Sequence, residues 1–420
     1  MANVLTVQSL NDKFTAAVLD SSNFIKESKN WAKDLFKKGT RPGTTATLYF
    51  DGMGATEVTD DISGANAMNI ADMNGDVKQY GVELVVGNAK GKVSWTEVEE
   101  RFKMGTIDAD LIKPTANAMA EKIVRQTINN SYLRSTGVVV AEKDNTTGQS
   151  GSFLALASAV ASLRKMRTGM TLVGHLDSDT MGYLASLPVT AGVGHFDAVS
   201  EKLSEMYGDA AIGTFHRCPF IDEPFMPTIT TASGNPGSGC TVSAVVSGAG
   251  AYQIGITGIA TAVSSIKAGS VFTIAGVNRC TGAGTPLMNS PYAFVVQEDV
   301  TGVSSAAVVK VLPLYFQGAG YIPTVSVEKI AVGAAVTWLT QPDKTYAVGI
   351  IRAREALNWT PIEMLDIRGA ENGSTTVPTM SFHTAFDGNI NDATNTGRLD
   401  AVFCGKIVDP RLVRTIYWEV

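Results

Sequence analysis

The sequence contains few cysteines and histidines, and none stands at a spacing typical of a metal site. Four cysteines lie far apart with no CxxC pair, and four histidines are scattered among 420 residues. Widely separated thiols favour reduced, packed side chains over a disulfide framework or a zinc site. We therefore expect no metal, no cofactor and a structural role for the thiols of Cys218, Cys240, Cys280 and Cys404.

A long apolar run and an excess of positive charge are also missing. No stretch approaches the roughly 18 apolar residues that a membrane-spanning helix needs. The N-terminus has no basic flank followed by an apolar core, so we expect a protein made and used without export. The formal net charge of −6 argues against tight wrapping of nucleic acid, which requires clustered lysine and arginine.

Short catalytic motifs are absent too, since the sequence holds no GxSxG, GxxxxGK[ST] or HExxH. The stretch "GHLDSD" leaves two interpretations open. One is an enzyme site that uses His175 with Asp177 or Asp179 as a metal or base cluster. The other is a polar turn that caps the next helix, because Asp177, Ser178 and Asp179 are good N-cap residues. Capping is favoured, and we predict that the protein is not an enzyme.

A second acidic stretch, "DGNIND" from Asp387 to Asp392, is similar to part of a calcium loop. It lacks the downstream bidentate glutamate of such a loop, and Asp-Gly is a strong hairpin signal. The sequence therefore favours a hairpin tip here.

The N-terminal region predicts an amphipathic arm. Leu10, Phe14 and Val18 form one apolar stripe on a helix. The following residues are strongly basic against two acids, and they could pack on their own domain or dock on a neighbouring subunit or an acidic partner. The basic residues are Lys26, Lys29, Lys33, Lys37, Lys38 and Arg41.

Strands and then a long helix are predicted next. "TTATLYF" and "KQYGVELVVGNAKGKVSW" indicate an extended two-stranded arm joined by a polar connection from Asp51 to Gly75. The longest helix is predicted from Pro114 to Leu133, ended by Gly137. Its apolar residues recur at intervals of three and four: Met119, Ala120, Ile123, Val124 and Ile128. "SFLALASAVASLRKMRTG" predicts a second helix, and "MTLVGHLDSDTMGYLASLP" a buried strand, a turn and a third helix.

The middle of the chain is glycine-rich and nearly uncharged. Between Pro227 and Gln297 only Lys267 and Arg279 are charged, and eleven glycines lie from Gly234 to Gly284. This shift in composition predicts a domain boundary, and the strand patterns to residue 343 predict an all-β unit of six or seven strands. "IKAGSVFTIAGV" would be two of these strands around a glycine turn. A final hairpin and a third strand close the chain in "MSFHTAFDGNINDATNTGRLDAVFCGKIVDPRLVRTIYW".

The order of these pieces resembles the major capsid protein of tailed bacteriophages. The resemblance covers nearly the whole chain, from the basic arm and hairpin through the helix after "LIKPTANAMAEKI" to the strand "IGTFHRCPFIDE", the β insertion and the closing strands. More narrowly, it is similar to the subgroup in short-tailed phages whose Hong Kong 97-like subunit carries an inserted β-barrel. In "TLVGHLDSDTMGYL", aspartate and serine replace a proline common in that family's turn.

The resemblance implies an α+β, Hong Kong 97-like capsid fold with an inserted all-β barrel-like domain, although the strand count alone also allows a sandwich. The expected segments are 1–40 N-terminal arm, 41–98 extended hairpin loop and peripheral-domain strands, 99–150 spine helix of the peripheral domain, 151–226 first part of the axial domain, 227–343 inserted β domain, 344–380 second part of the axial domain and 381–420 closing peripheral-domain strands.

The implied function is a major capsid protein that assembles as pentamers and hexamers into the icosahedral shell around a double-stranded DNA genome. The implied partners are further copies of itself, a scaffolding protein, a portal protein at one vertex, a decoration protein and weakly held packaged DNA, with no membrane. The implied location is the virion, after synthesis in the bacterial cytoplasm. The alternative is a surface-exposed binding or adhesion protein with an immunoglobulin-like domain.

Candidate residues follow from these expectations. Phe24, Trp31 and Phe36 are predicted to anchor the basic arm to a neighbour or a scaffolding protein, because their apolar stripe has no evident local partner. The full set of interface candidates is Phe14, Phe24, Trp31, Phe36, Arg41, Lys90 and Lys92. The candidates for the core of the inserted domain are Val271, Phe272, Ile274, Phe294 and Trp338.

Overall fold

The structure is a computed structural model that describes most of the chain from residue 23 onward. The interface candidates Phe14, Phe36 and Arg41 and the predicted helix over 10–18 lie outside the described residues. The described ranges are 23–33, 45–51, 79–96, 113–141, 151–166, 171–181, 213–215, 217–231, 239–248, 251–260, 265–280, 286–301, 303, 305–312, 314, 324–363, 371–377, 380–389 and 394–420.

The described helices are few, and the longest was predicted. They are α1 (Asn23–Lys26), α2 (Lys113–Tyr132) and α3 (Gly151–Arg164), with short 3-10 helices at Arg354–Ala356 and Pro410–Leu412. Pro114 lies in the first turn of α2, where its missing N–H costs no hydrogen bond. The five apolar positions predicted to face the core of the protein, from Met119 to Ile128, are all buried.

Strands dominate the described part of the chain. In order they are β1 (Thr45–Asp51), β2 (Gln79–Val85), β3 (Gly87–Thr96), β4 (Val138–Ala141), β5 (Leu172–Leu176), β6 (Gly213–Phe215), β7 (Cys218–Asp222), β8 (Thr228–Thr230), β9 (Thr241–Gly248), β10 (Ala251–Thr257), β11 (Ser265–Ile266), β12 (Val271–Cys280), β13 (Pro286–Val295), β14 (Val300–Thr301), β15 (Ala306–Val311), β16 (Val336–Trp338), β17 (Thr345–Ala353), β18 (Leu357–Pro361), β19 (Glu371–Val377), β20 (Met380–Asn389), β21 (Thr394–Ile407) and β22 (Val413–Glu419).

A mixed sheet forms one half of the main body. Among the described residues its order is β4-β22-β17-β5-β7-β6, with β8 also paired to β17. β22 runs parallel to β4 and β5 parallel to β7, and α3 packs against β4, β17 and β22. β5 and most of β17 are buried, as expected for a sheet whose central strands are covered.

An antiparallel sheet forms the other half, with β18-β21-β20-β19 in order and β3 paired to β21. Its two faces differ, because alternate residues of a strand point to opposite sides. Ala89 and Val93 of β3 are buried in the same apolar cluster as the buried positions of α2. Lys90 and Lys92 on the other face are exposed. This amphipathic sheet is what positions helix α2.

The predicted two-stranded arm is present as the antiparallel hairpin β1–β2, which leads into β3 through the single residue Val86. A small apolar cluster lies at its base, and we call it the hairpin cluster. Its buried members are Ala32, Leu84, Cys404 and Val408. Lys406 Nζ also donates a hydrogen bond to the carbonyl of Glu83. The described contacts of the hairpin thus extend from its base to the pair Leu48–Val82.

The neutral middle region has a core of its own, here called the insert core, which runs from Cys240 to Val336. Its described strands pair as three sheets, β15-β10-β9, β11-β14 and β13-β12-β16. The expected turn between β11 and β12 contains Gly269, whose φ of +89° favours a residue without a Cβ. Closure of these sheets into a barrel stays a prediction.

Strands β12 and β13 serve two cores at once. Phe272, Ile274 and Phe294 belong to the insert core, whereas Val271 and Val295 belong to the apolar cluster of the main body. This division follows from the two-residue period of a strand. Tyr417 Oη of β22 also donates a 2.9 Å hydrogen bond to the carbonyl of Gly269. The insert is therefore seated directly on the mixed sheet.

Several strands lie in a different sheet from the one that the expected segments imply. β8, expected with the insert, pairs with β17 in the mixed sheet. β18 and β19 lie in the antiparallel sheet, whereas the final strand β22 returns to the mixed sheet. The boundary expected at residue 380 therefore does not separate the two sheets.

The closing hairpin β20–β21 is confirmed, but its tip is not at Asp-Gly. Asp387 and Gly388 pair with Thr396 and Asn395 within the ladder, which continues to Asn389. The predicted tip in the stretch from Asp387 to Asp392 therefore has its first three residues in strand β20, and residues 390–393 lie outside the described residues.

Candidate interaction site

Residues 23–33, which we call the latch, lie along the edge where the two sheets meet. The Lys29 N–H donates to the carbonyl of Leu357 at 3.1 Å, and the Trp359 N–H donates to the carbonyl of Lys29 at 3.0 Å. The Trp31 N–H donates to Asn358 Oδ1 at 2.9 Å. The latch is therefore held by its backbone, in the manner of a short strand added to β18.

Phe24 is the apolar plug of the latch, with no part of its side chain exposed. Its ring centroid lies 4.7 Å from that of His175 and 4.7 Å from the guanidinium carbon of Arg352. The Phe24 N–H donates to Glu223 Oε2 at 2.9 Å. Full burial of a phenylalanine contributes about 1.5–3 kcal/mol, and the cation above its ring adds to this. Phe24 thus fixes the latch to the main body.

Arg352 holds the latch from below. Its two terminal nitrogens donate to the carbonyls of Glu27 at 2.7 Å and Phe24 at 2.8 Å. Burial lowers the pKa of Arg352 to about 9, an effect partly offset by the nearby carboxylate of Glu27. The guanidinium still carries its charge at neutral pH, so both hydrogen bonds are charge-assisted and strong.

The other two buried groups beneath Phe24 have shifted pKa values of their own. Burial raises the pKa of Glu223 to about 7, although the N–H groups of Phe24 and Phe225 act against this rise. Burial, together with Arg352, lowers the pKa of His175 well below its usual value. Neither ring nitrogen of His175 has a hydrogen-bond partner, so its neutral form is favoured. Of the ionisable groups beneath the latch, Glu223 is therefore the one whose charge changes near neutral pH.

The outer side of the latch is basic and aromatic, and we call it the latch surface. It comprises the exposed residues Lys26, Lys29, Trp31 and Lys33. Trp31 is 36% exposed, and its Nε1–H donates to the carbonyl of Glu355 at 2.9 Å. Lys29 Nζ lies 3.8 Å from the centroid of the indole ring, a cation–π contact. The hydrogen bond and the cation–π contact therefore hold the tryptophan in one orientation while it stays partly exposed to solvent.

Two of the predicted anchors, Phe24 and Trp31, differ in their burial. Phe24 packs completely within its own chain, so the expectation that it lacks a local partner is wrong. Trp31, in contrast, is partly exposed. Sequence reasoning missed Glu223 and Arg352, and a signal existed for Arg352, which interrupts the otherwise apolar run "YAVGIIRA". A charge in such a strand indicates a buried, specifically bonded group.

Lys90 and Lys92 lie on the polar face of the antiparallel sheet. Lys90 is opposite Asp400, and Lys92 is opposite Arg398. Arg398 Nε is 2.6 Å from the buried carboxylate of Asp400, while both lysines are exposed. This places the two lysines on a surface separate from the face that packs on helix α2.

The residues predicted for the core of the inserted domain belong to two different apolar clusters. Phe272 stacks on Phe294 with ring centroids 5.2 Å apart, and it contacts the half-buried Trp338 at 5.1 Å. Ile274 is buried beside them, whereas Val271 is buried in the main body. One strand therefore supplies residues to both cores.

The "GHLDSD" turn caps a helical turn, as favoured by the sequence. Asp177 Oδ2 accepts a 3.2 Å hydrogen bond from the Asp179 N–H at the start of the turn over 178–181. His175 instead packs on Phe24. Within the described ranges, no group of three or more His, Cys, Asp or Glu is placed to hold a metal ion.

The cysteines and helices add two further observations. All four cysteines are buried as free thiols. In the part of the chain that the structure describes, no helix is both long and apolar enough to cross a membrane.

Comparison with protein-family models and with curated proteins gives no match. Several solved structures are similar over most of the chain. A structure of Mycobacterium phage Che8 has 10% identity and a TM-score of 0.45, covering 94% of this chain and 90% of its own. The acidic stable capsid structure of Helicobacter pylori bacteriophage KHP30 has 7% identity and a TM-score of 0.43. The match covers 90% of this chain and 85% of the phage chain. The capsid structure of the cyanophage P-SCSP1u has 9% identity and a TM-score of 0.40. The match covers 90% of this chain and 84% of the cyanophage chain. The solved structures similar to this mostly β chain thus include phage capsids.

Proposed function

We propose that this chain is the major capsid protein of a tailed bacteriophage, with a Hong Kong 97-like fold and an inserted β-barrel-like domain. The observation that carries the proposal is the hairpin β1–β2, which leads directly into an antiparallel sheet packed on the 20-residue helix α2. A separate mixed sheet bears the insert. This is the combination that the order of sequence patterns implied for such a subunit.

The hairpin supports the proposal because an isolated two-stranded ribbon is marginally stable in water. Its described contacts extend only from the base to Leu48 and Val82, and Val85 beside them is still 56% exposed. A second copy of the chain would cover such a ribbon. Head-to-tail contacts of this kind close into rings, and pentamers and hexamers of one chain build an icosahedral shell.

The proposed partners follow from this role. The chain binds further copies of itself, a scaffolding protein during assembly, a portal protein at one vertex and a decoration protein. It encloses double-stranded DNA with weak, non-specific contact, in keeping with its net charge of −6. It is made in the bacterial cytoplasm and resides in the virion.

The proposed subunit contacts use the latch surface with Trp31 and the polar face of the antiparallel sheet with Lys90 and Lys92. Both surfaces are exposed, and Lys90 and Lys92 lie on strand β3. The proposed inserted domain spans 227–343 and contributes further contacts between neighbours.

Negative-stain electron microscopy of the protein, expressed alone and with its presumed scaffolding protein, tests the function. We expect closed shells or rings tens of nanometres across. A monomer under both conditions would overturn the proposal. Affinity of that monomer for glycans would favour the adhesion protein instead.

A further inference from the structure

Phe24 of the latch covers three buried ionisable groups that come from separate parts of the main body. They are His175 on β5, Glu223 directly after β7 and Arg352 on β17, and none of them has any exposed surface. Among the described residues, no hydrogen-bond partner exists for either ring nitrogen of His175, for Oε1 of Glu223 or for Nε of Arg352. A charge on such atoms is poorly stabilised, so the protonation of His175 and Glu223 depends on whether the latch covers them.

A single residue of the latch contacts all three groups. The ring centroid of Phe24 lies 4.7 Å from that of His175 and 4.7 Å from the guanidinium carbon of Arg352. The N–H of Phe24 donates to Glu223 Oε2 at 2.9 Å, and its carbonyl accepts from Arg352 at 2.8 Å. Removal of Phe24 from this place would therefore admit water to His175 and Glu223 together. We call that state the open latch.

Opening of the latch changes the protonation of the two groups in opposite directions. Burial raises the pKa of Glu223 to about 7, whereas a hydrated carboxyl has its usual value of 4.5. Opening therefore releases a proton between these pH values, and rising pH favours it. Burial and Arg352 lower the pKa of His175 well below 6.5. Opening therefore allows the imidazole to bind a proton below pH 6.5, and falling pH favours it.

The other charges near these groups leave both directions unchanged. Burial has the largest effect on the pKa of Glu223; Asp222 on β7 raises this pKa further, and Lys26 of the latch lowers it. Arg352 acts on the pKa of His175 in the same direction as burial does, and it keeps its own charge from pH 5 to pH 8 because its pKa is about 9. The further charges near Arg352 are those of Glu27 and Arg354, which pair with each other.

We propose that Glu223 and His175 form a compensating pair that keeps closure of the latch nearly independent of pH. As the pH falls, the proton that Glu223 holds in the closed latch offsets the proton that His175 would take up in the open latch. The latch then stays closed over a range in which either group alone would loosen it. The inference goes beyond the proposed shell, because it concerns a single copy of the chain and needs no partner.

The expected size of each contribution follows from the same pKa values. If Glu223 acted alone, the equilibrium between open and closed latch would shift toward the open state by about 70-fold from pH 5 to pH 8. If His175 acted alone, it would shift toward the closed state by about 30-fold over the same range. Together the two groups should leave a net change of about twofold.

Hydrogen exchange of the full chain, measured by mass spectrometry from pH 5 to pH 8, tests the pair. The reporters are the amides of Lys29, Trp31 and Trp359, whose N–H groups donate hydrogen bonds between the latch and β18. Each exchange rate is divided by the intrinsic rate at that pH to give a protection factor. We expect the protection factors of wild type to change by less than about fivefold across the range.

Two single variants and their combination separate the two groups. Glu223→Gln keeps an acceptor for the N–H of Phe24 but cannot ionise, so protection of the latch should rise about 30-fold from pH 5 to pH 8. His175→Leu removes the opposing group, so protection should fall about 70-fold over the same range. The double variant should show a flat profile again.

The outcomes are distinct. A wild-type latch whose protection changes by about 30-fold or more would show that one group acts without the other, and it would overturn the inference. A profile for Glu223→Gln as flat as that of wild type would overturn it as well, even if His175→Leu fails to fold. Opposite slopes in the two single variants would support it. None of these results depends on particles, so the microscopy of assembled shells tests the proposed function separately.

The insert core provides an internal control for every variant. Amides of β12 lie in a region whose only buried charged residue in its described part is Arg279. Their protection factors should not follow the pH profile of the latch in any variant. A slope of equal size in the insert core would mean that the substitutions act on global unfolding rather than on the latch, and it would overturn the inference.

Discussion

The insert and the main body bury their side chains in different ways. The insert core draws on residues that are close in sequence, from Cys240 to Val336, and in its described part Arg279 is the only buried charged residue. The main body gathers residues from Phe24 to Trp418 and buries several ionisable groups. Its latch is held by a guanidinium and a carboxylate as much as by apolar contact.

One chain thus combines a unit packed from residues close in sequence with a unit packed from distant residues. Packing between residues that are close in sequence depends mainly on the alternation of apolar residues along the strands. The insert core can therefore form from one stretch of the chain. The latch closes a contact between residues 328 positions apart, which carries a large loop-closure cost. Strong charge-assisted hydrogen bonds to its backbone offset part of that cost. The two regions should therefore respond differently to mutation and to pH.

Phe24→Ala should give the largest effect and confine it to the main body. Removing a fully buried phenylalanine costs about 3–5 kcal/mol of the free energy of unfolding. Hydrogen exchange should accelerate in the latch and in β18 and stay unchanged in the insert core. Urea unfolding with hydrogen-exchange mass spectrometry measures both. Exchange that rises equally in the insert would show that the two regions are one cooperative unit.

Phe272→Ala is the matching change in the insert. The loss of its packing on Phe294 and Trp338 should cost about 3 kcal/mol. Exchange should accelerate from Cys240 to Val336 while the latch keeps its protection. Thr273→Ala on the same strand is the control, with a small expected change. Loss of latch protection in Phe272→Ala would contradict the separation.

Glu223→Gln should change how stability depends on pH. The folded-state pKa of Glu223, about 7, lies above the usual 4.5, so protonation favours the folded state. The contribution is full below pH 4.5 and disappears as the pH rises through 7, which amounts to about 3 kcal/mol. The glutamine variant should match wild type near pH 5 and exceed it above pH 8, as measured by urea unfolding.

Glu298→Gln provides the control for that experiment, because it removes an exposed carboxylate that pairs with Lys310 at the surface and should change the free energy of unfolding by about 1 kcal/mol or less. Parallel profiles for Glu223→Gln and wild type would show that the Glu223 carboxyl does not titrate beneath the latch.

His175→Leu should act with the opposite sign. The folded-state pKa of His175 is lowered, so its stabilising contribution is present above pH 6.5 and declines as the pH falls below that value. The leucine variant should therefore lose less stability than wild type between pH 6.5 and pH 5. Thermal unfolding across this range measures the difference. A steeper loss in the variant would contradict the assignment of a neutral, buried imidazole.

Trp31→Ala should have the smallest effect on stability and still impair assembly. The indole is partly exposed, so its removal should cost about 1 kcal/mol or less of the free energy of unfolding. The yield of assembled particles, measured by sedimentation velocity, should fall. Normal shells at normal yield would show that Trp31 does not contribute to the subunit interface.

Local patterns predicted the local structure well. The spacing of Met119, Ile123 and Val124 predicted the buried stripe of α2, and the loss of charge after Pro227 indicated a unit with its own core. Alternation also predicted that β1, β2 and β3 would be strands. These features depend on periods of two to four residues, which the sequence shows directly.

Long-range pairing was harder to predict. Nothing in the sequence near Phe24 indicates that Arg352 and Glu223 meet it, because such contacts depend on the folded path of the chain. The placement of β22 in the mixed sheet was missed for the same reason, since strand patterns do not name their partners. The apolar surroundings of Arg352 were the one local sign of the latch site.

Electron cryo-microscopy of particles assembled from the full chain tests whether the protein forms a capsid shell. We expect a closed shell in which Phe24 of the latch packs on His175 and Arg352 of its own copy. The hairpin β1–β2 should lie against a neighbouring copy. A dispersed 44.3 kDa monomer that forms no particle would contradict the account.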